Sequence, residues 1–372
     1  MKIRPFENED VSQLVELLDI VFENWPHYNI NGTPEEFWRW KYLENPILES
    51  SIMLGVDDES IIGCHHILYN YLYVNGEKIL GSTSLDLAVH PDYRGQGLAS
   101  KISVPNEQIA AERGLKLSYF ITSNPILIKS FTMSDTIEKR RPRFPKPIKN
   151  YARIQDIDLQ LEKIPMDNPF VLKTGWKILS GLNQVISKTP IITEEFTLKS
   201  IKGFNEDYQQ FWEGLLPQYS FITNHDAEYM EWRYCSKILP EYLKTGAYDS
   251  QGNQSGIIIY TINDYNPDYP IGYIVDLLSL DSESSNVLIN HACEYFDAND
   301  VNLVNFQQVE GHPDLQISSS YGFINGRITP HIFYNTYNEY KGMEKLSDLH
   351  PKKLHLTWGD HDALPTIKPK TL

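Results

Sequence analysis

The chain has 372 residues, 41% of them hydrophobic and 12% aromatic, and a formal net charge of −16. That length exceeds one ordinary domain and predicts two, each with apolar mass enough for its own core. The acidic balance argues against nucleic acid or an anionic membrane as partner and leaves room for a small cationic one. The three cysteines, Cys64, Cys235 and Cys293, are far apart, suit no disulfide framework, and fit a reducing cytoplasm. Apolar runs stay short of the about 18 residues needed to span a bilayer. The first ten residues lack the apolar centre of a signal peptide, so a cytoplasmic location is expected.

Residues 1–6 read as a strand, and Val11, Leu14, Leu17 and Leu18 then recur at helical spacing. Thr33-Pro34-Glu35-Glu36 combines an N-cap, a proline at the first helical position and an acidic first turn. It predicts a second helix carrying Phe37, Trp38, Trp40 and Tyr42 and ending before Asn45-Pro46. Strands follow at 51–56, 60–72 and 77–90, with turns at Asp57-Asp58 and Asn75-Gly76. Residues 116–122 form another strand, and Asn124-Pro125 opens a short helix. The basic, proline-rich stretch 135–149 reads as an extended segment, and residues 176–186 as a helix within a connection spanning 151–195.

The most informative stretch is Ser84 to Ala110. Leu85, Leu87 and Val89 make an apolar strand that ends at His90-Pro91, and a glycine loop then leads into a helix that Pro105 should shorten or kink. Strand, loop and helix N-terminus present unpaired N–H groups to a phosphate. Gly95 and Gly97 let it approach the main chain. The dinucleotide pattern G-x-G-x-x-G fails because its third position is Ser100, and no Walker pattern occurs. Arg94-Gly95-Gln96-Gly97-Leu98-Ala99, preceded by V-H-P-x-Y, resembles the [QR]-x-x-G-x-[GA] loop of the GNAT superfamily of acyl-CoA-dependent N-acyltransferases. The resemblance implies an α/β fold with a mixed sheet, acetyl-CoA as cofactor and a small-molecule amine as acceptor. It also implies that the backbone at 94–99 holds pyrophosphate, that the Leu87 amide polarises the thioester carbonyl, and that Ala88, Val89 and Asn124 complete the cofactor site.

The second half echoes the first at a nearly constant offset of about 190 residues. Phe37–Tyr42 is matched by Tyr229–Tyr234, Asp86-Leu87-Ala88-Val89 by Asp276-Leu277-Leu278-Ser279, and Leu117–Phe120 by Leu303–Phe306. Where the first half has its glycine loop, the second has Ser282-Glu283-Ser284-Ser285-Asn286, with neither Arg nor Gly. Two tandem GNAT-like domains are therefore expected. Residues 1–150 bind acetyl-CoA, 196–343 form a degenerate copy, and 344–372 are a tail whose T-W-G-D-H-D string resembles that of a tandem-GNAT group.

Acyl transfer needs a base for the amine and a proton for the leaving thiolate. In many relatives a carboxylate lies six residues before the valine, where this chain has Thr83. The remaining candidates are Asp86, His90 and, from the tail, Asp360 and Asp362. Alternation puts Asp86 on the face opposite Thr83 unless a bulge intervenes. Many relatives place a tyrosine where counting from Asn124 gives Phe131, which donates nothing. Trp25, Tyr28 and Trp38 lie in the region that shapes acceptor pockets in such folds. Cys64-His65-His66 alternate across a strand, so no metal is expected. An amino sugar or aminoglycoside-like amine is the favoured acceptor. A non-catalytic acyl-CoA- or carbohydrate-binding module, or transfer from a longer acyl donor, remains open.

Overall fold

The computed structural model describes residues 1–26, 29–133, 141–155, 158, 160, 195–264, 266–326, 329–346 and 350–360. In chain order it contains β1 (Lys2–Pro5), α1 (Val11–Phe22), α2 (Pro34–Leu43), β2 (Ser51–Asp57), β3 (Ser60–Val74), β4 (Glu77–Val89), α3 (Leu98–Glu112), β5 (Leu117–Thr122) and α4 (Pro125–Met133). Then come β6 (Ile148–Ile154), β7 (Thr197–Ser200), α5 (Glu206–Leu215), β8 (Phe221–Thr223), α6 (Ala227–Cys235), β9 (Leu243–Tyr248) and β10 (Gln254–Asn263). The chain continues through β11 (Ile271–Ser279), α7 (Ser282–Ala298), β12 (Leu303–Val309), α8 (Pro313–Ser320), β13 (Ile324–Asn325) and β14 (His331–Thr336).

These elements build two mixed sheets, the α/β architecture expected. One runs β1-β2-β3-β4-β5-β14 with β8 added on β3, and the other runs β13-β6-β12-β11-β10-β9-β7. The chain divides into two compact units, Met1–Pro145 with Ser220–Pro240 and His331–Leu349, and Lys146–Tyr219 with Glu241–Pro330 and His350–Leu372. A cut in chain order near 150–195 therefore misses two exchanges. β6 pairs antiparallel with β12 over Leu303–Val309, and β14 pairs with β5 over Leu117–Thr122. The main-chain donors of β5 and β12 are thus satisfied by a strand from the other half of the sequence. The helix expected at 176–186 lies outside the described residues.

Local signals account for the elements around the first sheet. Thr33 and Glu36 close a capping box at α2, with Glu36 N–H donating to Thr33 Oγ1 at 3.2 Å and Thr33 N–H to Glu36 Oε2 at 2.8 Å. Asn75 and Gly76 both take positive φ, 53° and 83°, as a two-residue hairpin turn requires. α3 runs on through Pro105 to Glu112, so the proline does not shorten it. The adjacent Asn106 anchors it, donating from Nδ2 to the carbonyls of Ser51 (3.1 Å) and His65 (2.9 Å) and accepting from Ser51 Oγ at 2.6 Å. α3 lies close on the sheet because Gly63 leaves room, since a Cβ there would stand 2.6 Å from Ile102 Cδ1. Leu98 and Ile102 pack on Met53 and Ile62 in that interface.

His65 and His66 stand on opposite faces of β3, one toward α3 and the other toward α2, and both are buried. Asn106 Nδ2 also reaches His65 Nδ1 at 3.2 Å, which leaves the ring proton on Nε2 to donate to Ser84 Oγ at 2.7 Å. Burial and the neighbouring His66 push His65 down to about 3, and burial pushes His66 down to about 4. A histidine held neutral contributes stability that is complete above its unfolded pKa near 6.5 and is lost as the pH falls below that value. Unfolding free energy should therefore drop between pH 7 and pH 5, by up to about 1.4 kcal/mol per pH unit for each ring. Denaturant titrations of the wild type and His65→Gln check this, and the variant should show the shallower pH dependence.

Candidate active site

β4 and β5 pair in parallel only at Gly81, Ser82 and Thr83, opposite Leu117, Ser118 and Tyr119. Beyond Thr83 the ladder stops, although β4 continues to Val89 and β5 to Thr122. On the other side of β4, His90 N–H donates to the Ile62 carbonyl at 2.9 Å. Val89, opposite Gly63, therefore turns its own N–H and C=O toward the edge that β5 has left. Arg94 Nε donates to that Val89 carbonyl at 3.2 Å, tying the loop to the strand end.

Gly95 (φ 78°) and Gly97 (φ 72°) hold the loop in the left-handed region. A Cβ at either would meet nothing within 4 Å, so glycine is needed there for conformation and not for space. Gly97 caps α3 without a side-chain bond, and the first helical hydrogen bond runs from Lys101 N–H to the Gly97 carbonyl. The N–H groups of Leu98, Ala99 and Ser100 thus lack carbonyl partners within the helix. An exposed loop carrying Arg94, Gly95, Gln96 and Gly97 in front of these donors suits the pyrophosphate of an acyl-CoA. Asn124 caps α4, its Oδ1 accepting from Ile126 N–H at 2.9 Å. Phe131 packs against Phe120 and Phe333 with ring centres 4.9 and 5.5 Å away. An aromatic stack takes the place of a tyrosine donor at that position.

A bulge does intervene in β4. Cys64 pairs with Ala88 and His66 with Leu85, so Asp86 and Leu87 together stand opposite His65. Asp86 takes φ 40°, and Leu87 is 43% exposed. The bulge turns the Asp86 side chain onto the α2 face, which Thr83 shares through its pairing with Leu68. There Lys41 Nζ lies 3.2 Å and the Tyr42 hydroxyl 2.5 Å from Asp86 Oδ2. Burial works to raise the Asp86 carboxyl, but the Lys41 ammonium, His66 and the Tyr42 hydroxyl outweigh it and hold the group below its usual value.

The other predicted site residues fall in several places. Trp38 has no exposed surface and donates from Nε1 to His66 Nε2 at 3.1 Å, and Trp25 is buried against Phe37. Both are core residues, so the reading of them as acceptor contacts is corrected. Tyr28 and Asp362 lie outside the described residues. His90 caps a short turn, its Nδ1 accepting from Asp92 N–H at 3.4 Å. Lys41, Tyr42 and His66 were missed as site residues. The available signal was Lys41, a charge set within the aromatic run of α2.

The second unit repeats the splay without the loop. β11 pairs with β12 only from Ile271 to Ile274, and a register shift in its pairing with β10 leaves Val275 without a partner beside Asp276. The tail bridges the two strands where their ladder has ended. His355 Nε2 donates to the Leu277 carbonyl at 3.1 Å, and Leu356 N–H to Gln308 Oε1 at 3.1 Å. Thr357 Oγ1 donates to Asp276 Oδ1 at 3.2 Å, while Asp360 Oδ2 accepts from Thr357 N–H at 2.7 Å. At the start of α7 the Asp281 carboxylate accepts from Ser284 N–H at 2.8 Å, filling the place a phosphate oxygen would take. A cavity of about 330 Å³ opens there, lined by Asp281, Ser282, Ser285, His312, Asp314 and Lys352 among others.

Known proteins agree with this geometry. The sequence model of the acetyltransferase (GNAT) domain matches residues 2–132. No curated protein matches the chain. Among solved structures, a conserved protein of unknown function from Enterococcus faecalis V583, described as a probable N-acyltransferase, superposes with a TM-score of 0.60. It is 13% identical, and the match covers 92% of this chain and 73% of that one. Saccharomyces cerevisiae N-myristoyltransferase with bound myristoyl-CoA gives a TM-score of 0.58 at 11% identity, covering 90% of this chain and 82% of its own. Identities this low speak for the fold alone. No helix is long and apolar enough to cross a membrane among the described residues. The family's domain match over residues 2–132, the splayed strands and the glycine loop agree on a GNAT acetyltransferase domain in the first part of the chain.

Proposed function

We propose that the chain transfers an acetyl group from acetyl-CoA to the primary amine of a small cationic molecule, an amino sugar or aminoglycoside-like compound, in a ternary complex. The observation that carries the reading is the early end of the β4–β5 ladder next to a glycine loop whose helix amides lack side-chain caps. Acyl-CoA supplies an activated thioester when bound. In this reading Val89 pairs with pantetheine, the backbone at 94–99 holds pyrophosphate, and the Leu87 amide faces the carbonyl. The excess of acidic side chains favours a cationic acceptor. Asp86 is engaged by Lys41 and Tyr42, which leaves His90, the tail or water to take the amine's proton. A longer donor is the second reading, because a yeast neighbour of this fold holds myristoyl-CoA. The second copy, with its capped α7 and filled splay, binds no cofactor in this proposal.

Thiol release with acetyl-, octanoyl- and myristoyl-CoA against a panel of amines tests the reading. Acetyl-CoA should give the highest kcat/KM. A preference for myristoyl-CoA would establish the second reading, and binding of acyl-CoA without thiol release in the presence of any amine would point to a binding module. Gly97→Val should weaken acetyl-CoA binding at least about tenfold by calorimetry, because the left-handed loop costs a branched residue about 1–2 kcal/mol and the cradle shifts to relieve it. Calorimetry should find one CoA site per chain.

The tail needs two truncations. Leu354, His355, Leu356 and Thr357 are fully buried, so cutting after Lys353 should cost several kcal/mol of stability. Loss of turnover in that variant says nothing of catalysis. Deleting 361–372 keeps the buried part. If Asp362 serves as the base, that deletion lowers kcat at least about tenfold with acetyl-CoA affinity unchanged; equal turnover removes the tail from the chemistry.

A further inference from the structure

Asp86 is held at its carboxylate and at its main-chain carbonyl, and both point into one cluster. Its carboxylate accepts from Lys41 Nζ and from the Tyr42 hydroxyl. Its main-chain carbonyl faces His66 Nδ1 at 3.3 Å and Cys64 Sγ at 3.5 Å. The Trp38 indole N–H can only donate, so His66 Nε2 is its acceptor and the ring proton must sit on Nδ1, aimed at that carbonyl. Tyr42 stacks on His66 with ring centres 4.2 Å apart, and the Lys41 ammonium lies 4.8 Å from the Tyr42 ring. Lys41 is 5% exposed and His66 not at all.

Asp86 sits at φ 40°, a conformation that costs an L residue strain and persists only where the surroundings hold it. The strained peptide is the one that places Leu87 opposite His65, out of regular register, at the edge where β5 has diverged. Release of Asp86 would let β4 relax toward regular pairing. Leu87 and its amide would then rotate away from that edge, since a one-residue slip inverts every side chain and peptide beyond it.

We propose that Lys41, Tyr42 and His66 are positioning residues, which clasp both ends of Asp86 and so fix the β4 bulge that turns the Leu87 amide toward the thioester carbonyl of the donor. The inference rests on the acyl-CoA reading above. It assigns Asp86 to the backbone and not to proton transfer. It also separates two functions along one strand, with the 94–99 loop binding the cofactor and the bulge activating it.

The test uses the full chain, acetyl-CoA labelled with ¹³C at the carbonyl, and the variants Tyr42→Phe, Lys41→Met, Lys41→Arg and Asp86→Asn. Asparagine tolerates positive φ, so Asp86→Asn removes charge without forbidding the bulge. In the wild type the bound thioester carbonyl stretch should shift to lower wavenumber than in free acetyl-CoA. Tyr42→Phe and Lys41→Met should return it toward the free value, with CoA affinity by calorimetry within about threefold of wild type, and Lys41→Arg should restore part of the shift. Turnover with the best amine of the panel should fall about 100-fold in kcat, the scale of losing one oxyanion donor. Asp86→Asn should lower the plateau of the kcat/KM profile and leave its acid limb in place. An unchanged carbonyl shift across the variants overturns the inference, as does loss of the acid limb in Asp86→Asn, which would make Asp86 the base. A wild type that binds acetyl-CoA but transfers to no amine refutes only the transfer reading, and the carbonyl shift still decides the clasp. A wild type that binds no acetyl-CoA removes both. Tyr42→Phe deletes one oxygen atom, which makes it the variant least exposed to misfolding.

Discussion

Two parallel strands that stop pairing before they end leave peptide groups that must be satisfied by something else. In the first unit the β4–β5 ladder ends at Thr83 and Tyr119, and Val89 turns its polar groups to the open side. Leaving such groups buried and unmet costs about 1–3 kcal/mol each, so a splay of this kind survives where water or a ligand reaches it. The rest of the first unit serves that opening. α3 is drawn onto the sheet by Gly63 and anchored by Asn106, which brings the uncapped helix start beside the last residue of β4.

The same strand also holds a charge in the core. An ion pair buried this deeply is no stability argument, because taking Lys41 and Asp86 out of water offsets much of their attraction. A hydrophobic pair would fill the volume at no greater cost. The cluster does something an apolar contact could not, since directional bonds from Lys41 and Tyr42 reach the carboxylate, and one from His66 reaches the carbonyl, of a single residue in a strained conformation. Stability lost to desolvation is thereby exchanged for a fixed backbone shape.

Much of this was legible in the sequence because local chemistry sets it. The capping box at Thr33, the Asn75-Gly76 turn and the glycine loop each specify backbone geometry within a few residues, and the structure follows them. The fold class followed from the family resemblance that the glycine loop carries. Long-range choices were hidden. That β6 would leave the first sheet and β14 join it depends on which strand offers unmet hydrogen bonds, and no local pattern encodes that. Trp38 misled because an aromatic residue near an expected pocket looks the same in sequence whether it lines the pocket or supports it. The bulge at Asp86 was open in the sequence as an alternative, and only the pairing register decides it. Asp86 and Asp276 echo each other because each lies where its strand shifts register.

The second unit shows how the same backbone problem is solved without a ligand. There the chain's own tail lies across the diverging strands, its buried residues hydrogen-bonded to the Leu277 carbonyl, the Gln308 side chain and the Asp276 carboxylate. Asp281 caps the helix that would otherwise offer its amides to phosphate. The Leu277 carbonyl and the Ser284 amide at the start of α7 are met here by groups of the chain itself, at high effective concentration. An open splay persists without a ligand where something internal takes up the unpaired edge. The tail from Leu354 to Asp360 fills that role, and its burial follows from the edge it covers.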